Sequence, residues 1–179
     1  QGELKFHEWL GNSWAILFSH PADFTPVCTT ELGEMARLSK AFDARNVKVI
    51  GLSVDSIDDH QKWIHDINEV NNVDVQFPII ADKDTKVASL YNMLDTPEHD
   101  PTNIQKSGIP FTVRSVFIID AEKSIRLKLT YPASCGRNFD EILRVVDSLQ
   151  LTDRRRVTTP ANWKPGNEVI IHPSVPDAE

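Results

Sequence analysis

The sequence predicts an α/β sandwich: a mixed central sheet with helices on its faces. Three observations carry that expectation. In the first half, short continuous apolar runs alternate with segments of helical period, as strands alternating with helices require. In the second half, two apolar runs flank a short stretch that begins Asp120-Ala121-Glu122-Lys123, which reads as a hairpin. One amphipathic helix then closes the domain.

Each element follows in order. Trp14-Ala15-Ile16-Leu17-Phe18, ended by Ser19-His20-Pro21, reads as a strand buried on both faces. From Cys28 to Arg45 the residues Leu32, Met35, Ala36, Leu38 and Phe42 recur at helical spacing. Val47 to Val54 is β-branched and apolar, a second buried strand. Asp55 or Ser56 caps the next helix, with Ile57, Trp63, Ile64, Ile67 and Val70 expected on its inward face. Phe77 to Ala81 predicts a third strand and Lys86 to Tyr91 a short helix. Asp95 to Pro110, with three prolines, reads as a loop. Ser115 to Ile119 and Ile125 to Tyr131 form the hairpin. Asn138 with Glu141 is a capping-box-like start for a helix striped by Phe139, Ile142, Leu143, Val146 and Leu149. After Leu151 the chain turns polar and proline-rich (Pro160, Pro165, Pro173, Pro176), as an extended C-terminal arm would. The expected organisation is one domain over 1–151 and the start of an arm over 152–179. The pattern fits a thioredoxin-like fold. Because the first residue is Gln1 and not Met, a segment before it is expected to be missing.

Composition narrows the function. Nineteen basic against 26 acidic residues give a net charge of −7, which disfavours nucleic acid or an anionic membrane as partner. No GxxxxGK or GxGxxG occurs, so no phosphate-cradling loop is expected. No apolar run is long enough to span a bilayer and no signal-peptide pattern opens the chain. Two cysteines 107 positions apart do not make a disulfide framework, and a reducing, cytoplasmic compartment is expected. No cofactor is implied. His60 and His65 are five apart, poorly aligned on one helix face, and no HExxH exists, so no metal site is expected. Arg154-Arg155-Arg156 reads as a solvated helix exit.

Chemistry concentrates in Pro21-Ala22-Asp23-Phe24-Thr25-Pro26-Val27-Cys28-Thr29-Thr30-Glu31. A strand ends, a proline-bounded loop follows, and a cysteine sits where a helix begins. Unpaired amides and the positive end of the helix dipole favour thiolate over thiol there. Thr25 places a hydroxyl near the same pocket, and Pro26 removes a backbone donor. The neighbours Thr25, Thr29, Thr30 and Glu31 are poor core chemistry, so Cys28 reads as reactive and not as a small buried hydrophobe.

Pro-x-x-x-Thr-x-x-Cys, present as Pro21 to Cys28, resembles the active-site signature of the peroxiredoxins. The longer run from Ser19 to Glu31 resembles their 1-Cys subfamily. Gly108-Ile109-Pro110-x-Thr112-x-Arg114, Tyr131-Pro132-Ala133, Gly136 to Arg144 and Thr159 to Trp163 extend the resemblance over nearly the whole chain. The resemblance implies a thiol-dependent peroxidase that reduces hydrogen peroxide and organic hydroperoxides, with Cys28 as nucleophile oxidised to a sulfenic acid. Thr25 and Arg114 would bind the peroxide oxygens and the thiolate. Pro26 would shape the pocket, His20 would sit beside the sulfur, and Glu31 and Arg137 would hold Arg114. The partners implied are the peroxide, an outside thiol reductant such as glutathione or thioredoxin, and a second copy in a homodimer through Ile125–Tyr131 and the arm. Acidity alone cannot supply a fast rate. Lowering a thiol pKa from ~8.5 to ~6 raises the thiolate fraction roughly 30-fold and lowers nucleophilicity about 10-fold. Donors aimed at the leaving oxygen must do the rest.

Cys135, in Pro132-Ala133-Ser134-Cys135-Gly136, lies outside the contexts of a resolving cysteine and reads as incidental. A rival reading is a lipid hydrolase using Ser13 and His7, since some 1-Cys peroxiredoxins show phospholipase activity. Here, however, Gly11-Asn12-Ser13-Trp14-Ala15 lacks the second glycine of a nucleophile elbow. Glu122 stands where an aspartate is expected, with Asp120 close by. A third reading, a silent thioredoxin-like module or holdase, is opposed by the intact set Thr25, Cys28 and Arg114.

Overall fold

The computed structural model describes residues 2–96 and 100–175. Its strands are β1 (Trp14–Ser19), β2 (Val47–Ser53), β3 (Ile79–Ala81), β4 (Arg114–Ile119), β5 (Ile125–Tyr131), β6 (Val157–Thr158) and β7 (Ile170–Ile171). Its helices are α1 (Phe6–Leu10), α2 (Pro26–Arg37), α3 (Ser39–Asp43), α4 (Ile57–Asn71), α5 (Lys86–Leu90) and α6 (Phe139–Arg154). Two compact units result, Gln1–Arg137 and Asn138–Glu179.

In the first unit, β1 to β5 form one sheet in the order β3-β2-β1-β4-β5. The sheet is mixed, as expected. β1 runs parallel to β2 (Leu17 opposite Ile50) and antiparallel to β4 (Leu17 opposite Phe117). Every residue of β1 and β4 is buried, which is why both read as unbroken apolar runs. Leu10, Leu17, Leu52, Met93, Phe117 and Ile119 belong to one core cluster. β5 is an edge strand, half exposed along its length. The reversal between β1 and β4 decides the site's position. It brings the start of β4, at Arg114, beside the end of β1.

Three details depart from the pattern reading. The helix expected from Cys28 to Arg45 is two helices broken at Leu38, and the first begins at Pro26. Proline at the first helical position has its backbone angle preset and lacks only an amide that would be unpaired anyway. α1, five residues long, is too short for a periodic signal. On α4, Ile57 and Val70 are exposed, at 57% and 75%, and the buried stripe is His60, Trp63 and Ile67. Ile57 and Val70 occupy the terminal turns, beyond the packed face. Of the two caps expected for α4, Ser56 is the one used, its hydroxyl accepting from Asp59 N at 3.1 Å.

The second unit holds α6, capped as expected by Asn138 Oδ1 accepting from Glu141 N at 3.2 Å. The arm after it carries the antiparallel pair β6–β7 and a buried Trp163, whose indole donates to Asn167 O. Pro176, expected in the arm, and residues 97–99 of the expected 95–110 loop lie outside the described residues. Among the described residues no helix is long and apolar enough to cross a membrane.

Candidate active site

The end of β1 delivers the loop that carries the chemistry. Cys28 is the third residue of α2 and is fully buried. Thr25 is the α2 cap residue but makes no side-chain cap, its hydroxyl donating instead to Ala22 O at 2.9 Å. The first-turn amides of α2 are thereby left without that partner. Gly33 locks α2 in place: a Cβ there would meet the side chain of Asn71 at 2.3 Å. Asn71 Nδ2 donates to Thr29 O and Trp63 Nε1 to Thr29 Oγ1, so α4 grips α2 one residue past the sulfur. Phe24 has φ of 58° with its ring half exposed, an unusual conformation for an aromatic residue. Pro26 lies exposed at the mouth of the loop.

On one side of the sulfur stands a cluster of permanent charge. Arg114 Nη1 is 3.2 Å from Cys28 Sγ and 2.8 Å from Glu31 Oε2. Arg114 Nε and Nη2 both donate to Ala133 O, at 2.9 and 2.6 Å. Arg137 clamps the same carboxylate, Nη2 on Oε2 at 2.6 Å and Nε on Oε1 at 3.1 Å. Its third donor, Nη1, reaches Ser19 O at 2.8 Å, and its guanidinium lies over the Phe18 ring. All three side chains are buried. Burial pushes the Glu31 carboxyl up, but the Arg137 charge and hydrogen bonds outweigh it, with Arg114 adding to them, and hold it below the usual range.

A second cluster, of titratable groups, stands just past the end of β1. Asp23 Oδ1 is 2.7 Å from His20 Nε2, and Asp23 Oδ2 is 2.6 Å from His60 Nδ1. His60 Nε2 faces Ile80 O at 3.3 Å. Asp23 N donates to Asp55 Oδ2, which Ser53 also reaches. Trp63 packs on the His20 ring at 4.9 Å between centroids. Donor atoms of His20, Asp23 and Asp55 lie within 4.8 Å of one another, yet both Asp23 oxygens already face imidazoles.

The structure thus brings together Cys28, Arg114, Glu31 and Arg137 in direct contact and places His20 in the adjoining cluster. Asp23 received no role from sequence, and His60 was read only as a poor metal ligand. The available signal for His60 was its place at i, i+3, i+7 with Trp63 and Ile67 on the apolar face of α4. The Ser13 and His7 pair does not assemble: Ser13 Oγ donates to Asn46 Oδ1, and no hydrogen bond joins it to His7 among the described residues. Asp120 instead pairs with Arg126 and accepts from Ser124 N. Cys135 is exposed, while Cys28 is buried, and both are free thiols.

The site is a buried cysteine at a helix start, faced by a clamped guanidinium at the end of a mixed five-stranded sheet. Residues 1–128 match the AhpC/TSA family model, and 148–179 match the C-terminal domain of 1-Cys peroxiredoxin. The chain is 54% identical to chicken (Gallus gallus) peroxiredoxin-6, an alignment spanning 100% of this chain and 80% of that protein. It is equally 54% identical to the mitochondrial peroxiredoxin PRX1 of Saccharomyces cerevisiae, over 99% and 67%. Among solved structures, peroxiredoxin 6 of Arenicola marina, a cysteine-to-serine mutant, superposes with a TM-score of 0.92 at 49% identity, covering 98% of this chain and 78% of that one. The yeast mitochondrial 1-Cys peroxiredoxin, described with thiol resolution via glutathione/thioredoxin systems, gives 0.88 at 54%, covering 97% and 81%. The chain belongs to the peroxiredoxin family, in its 1-Cys branch, and is a peroxidase.

Proposed function

We propose that Cys28 is the peroxidatic residue, that Arg114 is the donor to sulfur and peroxide, and that the oxidised sulfur is resolved by an outside thiol. The observation that carries this reading is the contact of Arg114 Nη1 with Cys28 Sγ at 3.2 Å, made by a nitrogen already anchored on Glu31. A cation fixed there stabilises a thiolate over a thiol. It also stands ready for the charge that moves onto the leaving oxygen.

The sulfur attacks the nearer peroxide oxygen. An S–O bond forms as the O–O bond breaks, and the electron pair departs on RO⁻, which takes a proton and leaves as alcohol or water. Sulfur is oxidised to Cys28–SOH. A first outside thiol then displaces water to give a mixed disulfide, and a second releases Cys28–SH. Glutathione or thioredoxin fits that role, the chemistry described for the yeast 1-Cys relative. In the same reading Thr25, its hydroxyl held against Ala22 O at 2.9 Å, binds the peroxide oxygens together with Arg114, Pro26 shapes the pocket, and Glu31 and Arg137 hold Arg114. A homodimer belongs to the same reading. β5 is an open sheet edge, and Ile170 and Ile171 of the arm expose 55% and 65% of their surface.

The test is peroxide consumption with excess dithiothreitol, alongside intact mass after one equivalent of peroxide. The unmodified chain gains one oxygen on Cys28 and turns over. Cys28→Ser does neither. Turnover by Cys28→Ser at the unmodified rate would refute the reading.

A further inference from the structure

A carboxylate offers only acceptors. Both imidazole nitrogens that face Asp23 therefore bring a proton, His20 at Nε2 and His60 at Nδ1. The other nitrogen of His60 faces the carbonyl of Ile80, again an acceptor alone. Hydrogen bonds on both sides make His60 an imidazolium. His20 differs. Its Nδ1 is buried with no hydrogen-bond partner, and its one ring proton is committed to Asp23, so Nδ1 presents a bare lone pair. A buried acceptor left open is costly and calls for a donor that arrives later. The cluster adjoins the sulfur through Trp63, which packs on the His20 ring and donates to Thr29 Oγ1, one residue past Cys28. The reaction at Cys28 supplies two donors of the right kind, the O–H of a hydroperoxide and the O–H of the sulfenic acid.

We infer that His60 is a positioning residue of the peroxidase site, which acts through Asp23 to hold His20 as its neutral Nε2–H tautomer with Nδ1 open to an O–H donor. The inference rests on the reading of Cys28 as the peroxidatic residue. Charge at the cluster agrees with the geometry. Burial pulls the His20 pKa down and keeps the ring neutral, whereas the bond and charge of Asp23 outweigh burial at His60 and raise it. Asp23 is held as a carboxylate, its burial outweighed by the two imidazoles. Asp55 is the remaining ionisable neighbour. It bonds the amide of Asp23 and the hydroxyl of Ser53, and burial pushes its carboxyl up.

Two measurements test this. Ring-nitrogen NMR of the reduced protein, labelled with ¹⁵N-histidine, should find a pyridine-like Nδ1 at His20 and two protonated nitrogens at His60 near neutral pH. A proton on His20 Nδ1 in the unmodified protein would overturn the inference, whatever any variant does. Separately, Cys28 oxidation by hydrogen peroxide is followed from about pH 5 to about pH 9, bracketing the ordinary histidine pKa of ~6.5. His60→Ala should fall about 10-fold, as when the partner that orients a histidine is lost. His60→Asn, which keeps an N–H toward Asp23 without a titrating ring, should hold its rate within about 3-fold and lose the alkaline inflection. Unmodified rates and pH profiles in both variants would also overturn it. Cys28→Ser is measured in parallel, and activity there would remove the underlying reading instead.

Discussion

Two charged clusters flank the end of β1, and they are built on opposite principles. On the Glu31 side two arginines share one carboxylate, and guanidinium groups stay charged at any pH the fold survives. On the Asp23 side two histidines share one carboxylate, and imidazoles change charge near neutrality. The geometry is nearly the same, one acid between two bases, all buried. The contrast shows how one loop can keep a constant field at its sulfur and still carry a pH-sensitive neighbour.

The largest effect should come from breaking the constant side at the sulfur. Arg114→Met should slow hydrogen peroxide reduction by about 100- to 1,000-fold, the scale of losing a donor aimed at developing oxyanion charge. Stopped-flow rates across pH check this, since a loss that merely follows thiolate fraction would show that the guanidinium acts on acidity alone. Next comes Glu31→Gln. It leaves two buried guanidiniums around a neutral amide and should cost about 3–5 kcal/mol of stability, read by urea unfolding. The smallest effect belongs to the titrating side. His20, held below its ordinary pKa, binds its proton more weakly folded than unfolded, so its contribution is lost as pH falls below ~6.5. His60, held above, contributes fully below ~6.5 and loses that contribution as pH rises through its folded value. Unfolding free energy should therefore decline on both flanks, and His60→Asn should remove only the alkaline decline. An alkaline decline that persists in the variant would place its origin elsewhere.

These two sides were unequally legible in the sequence. Cys28 stood out by its place at a helix start among polar neighbours, whereas Arg114, Glu31 and Arg137 were reached only through the family resemblance of the motifs that hold them. β1, β2 and β4 were equally plain, because buried strands leave unbroken apolar runs, and β5 was legible as the second run of the hairpin. Asp23 and His60 escaped because each looks ordinary alone: an acid in a loop, a histidine on a helix. Their partnership spans 37 residues and exists only once α4 packs on the loop. The break at Leu38 was hidden too, since the apolar spacing of α2 and α3 continues across it. Local period is blind to a kink that keeps the same face inward.

The order in which the chain is made gives the mixed sheet a further meaning. Cys28 meets Arg114 across 86 residues, and Glu31 meets Arg137 across 106. A ribosome that has finished α2 has thus made the sulfur but not the cation that faces it, and such distant pairings close late in folding. The nascent Cys28 has no guanidinium partner until β4 emerges and runs back alongside β1. The contact between sulfur and guanidinium therefore waits on the antiparallel pairing of β4 with β1, when more than half of the polypeptide has been made.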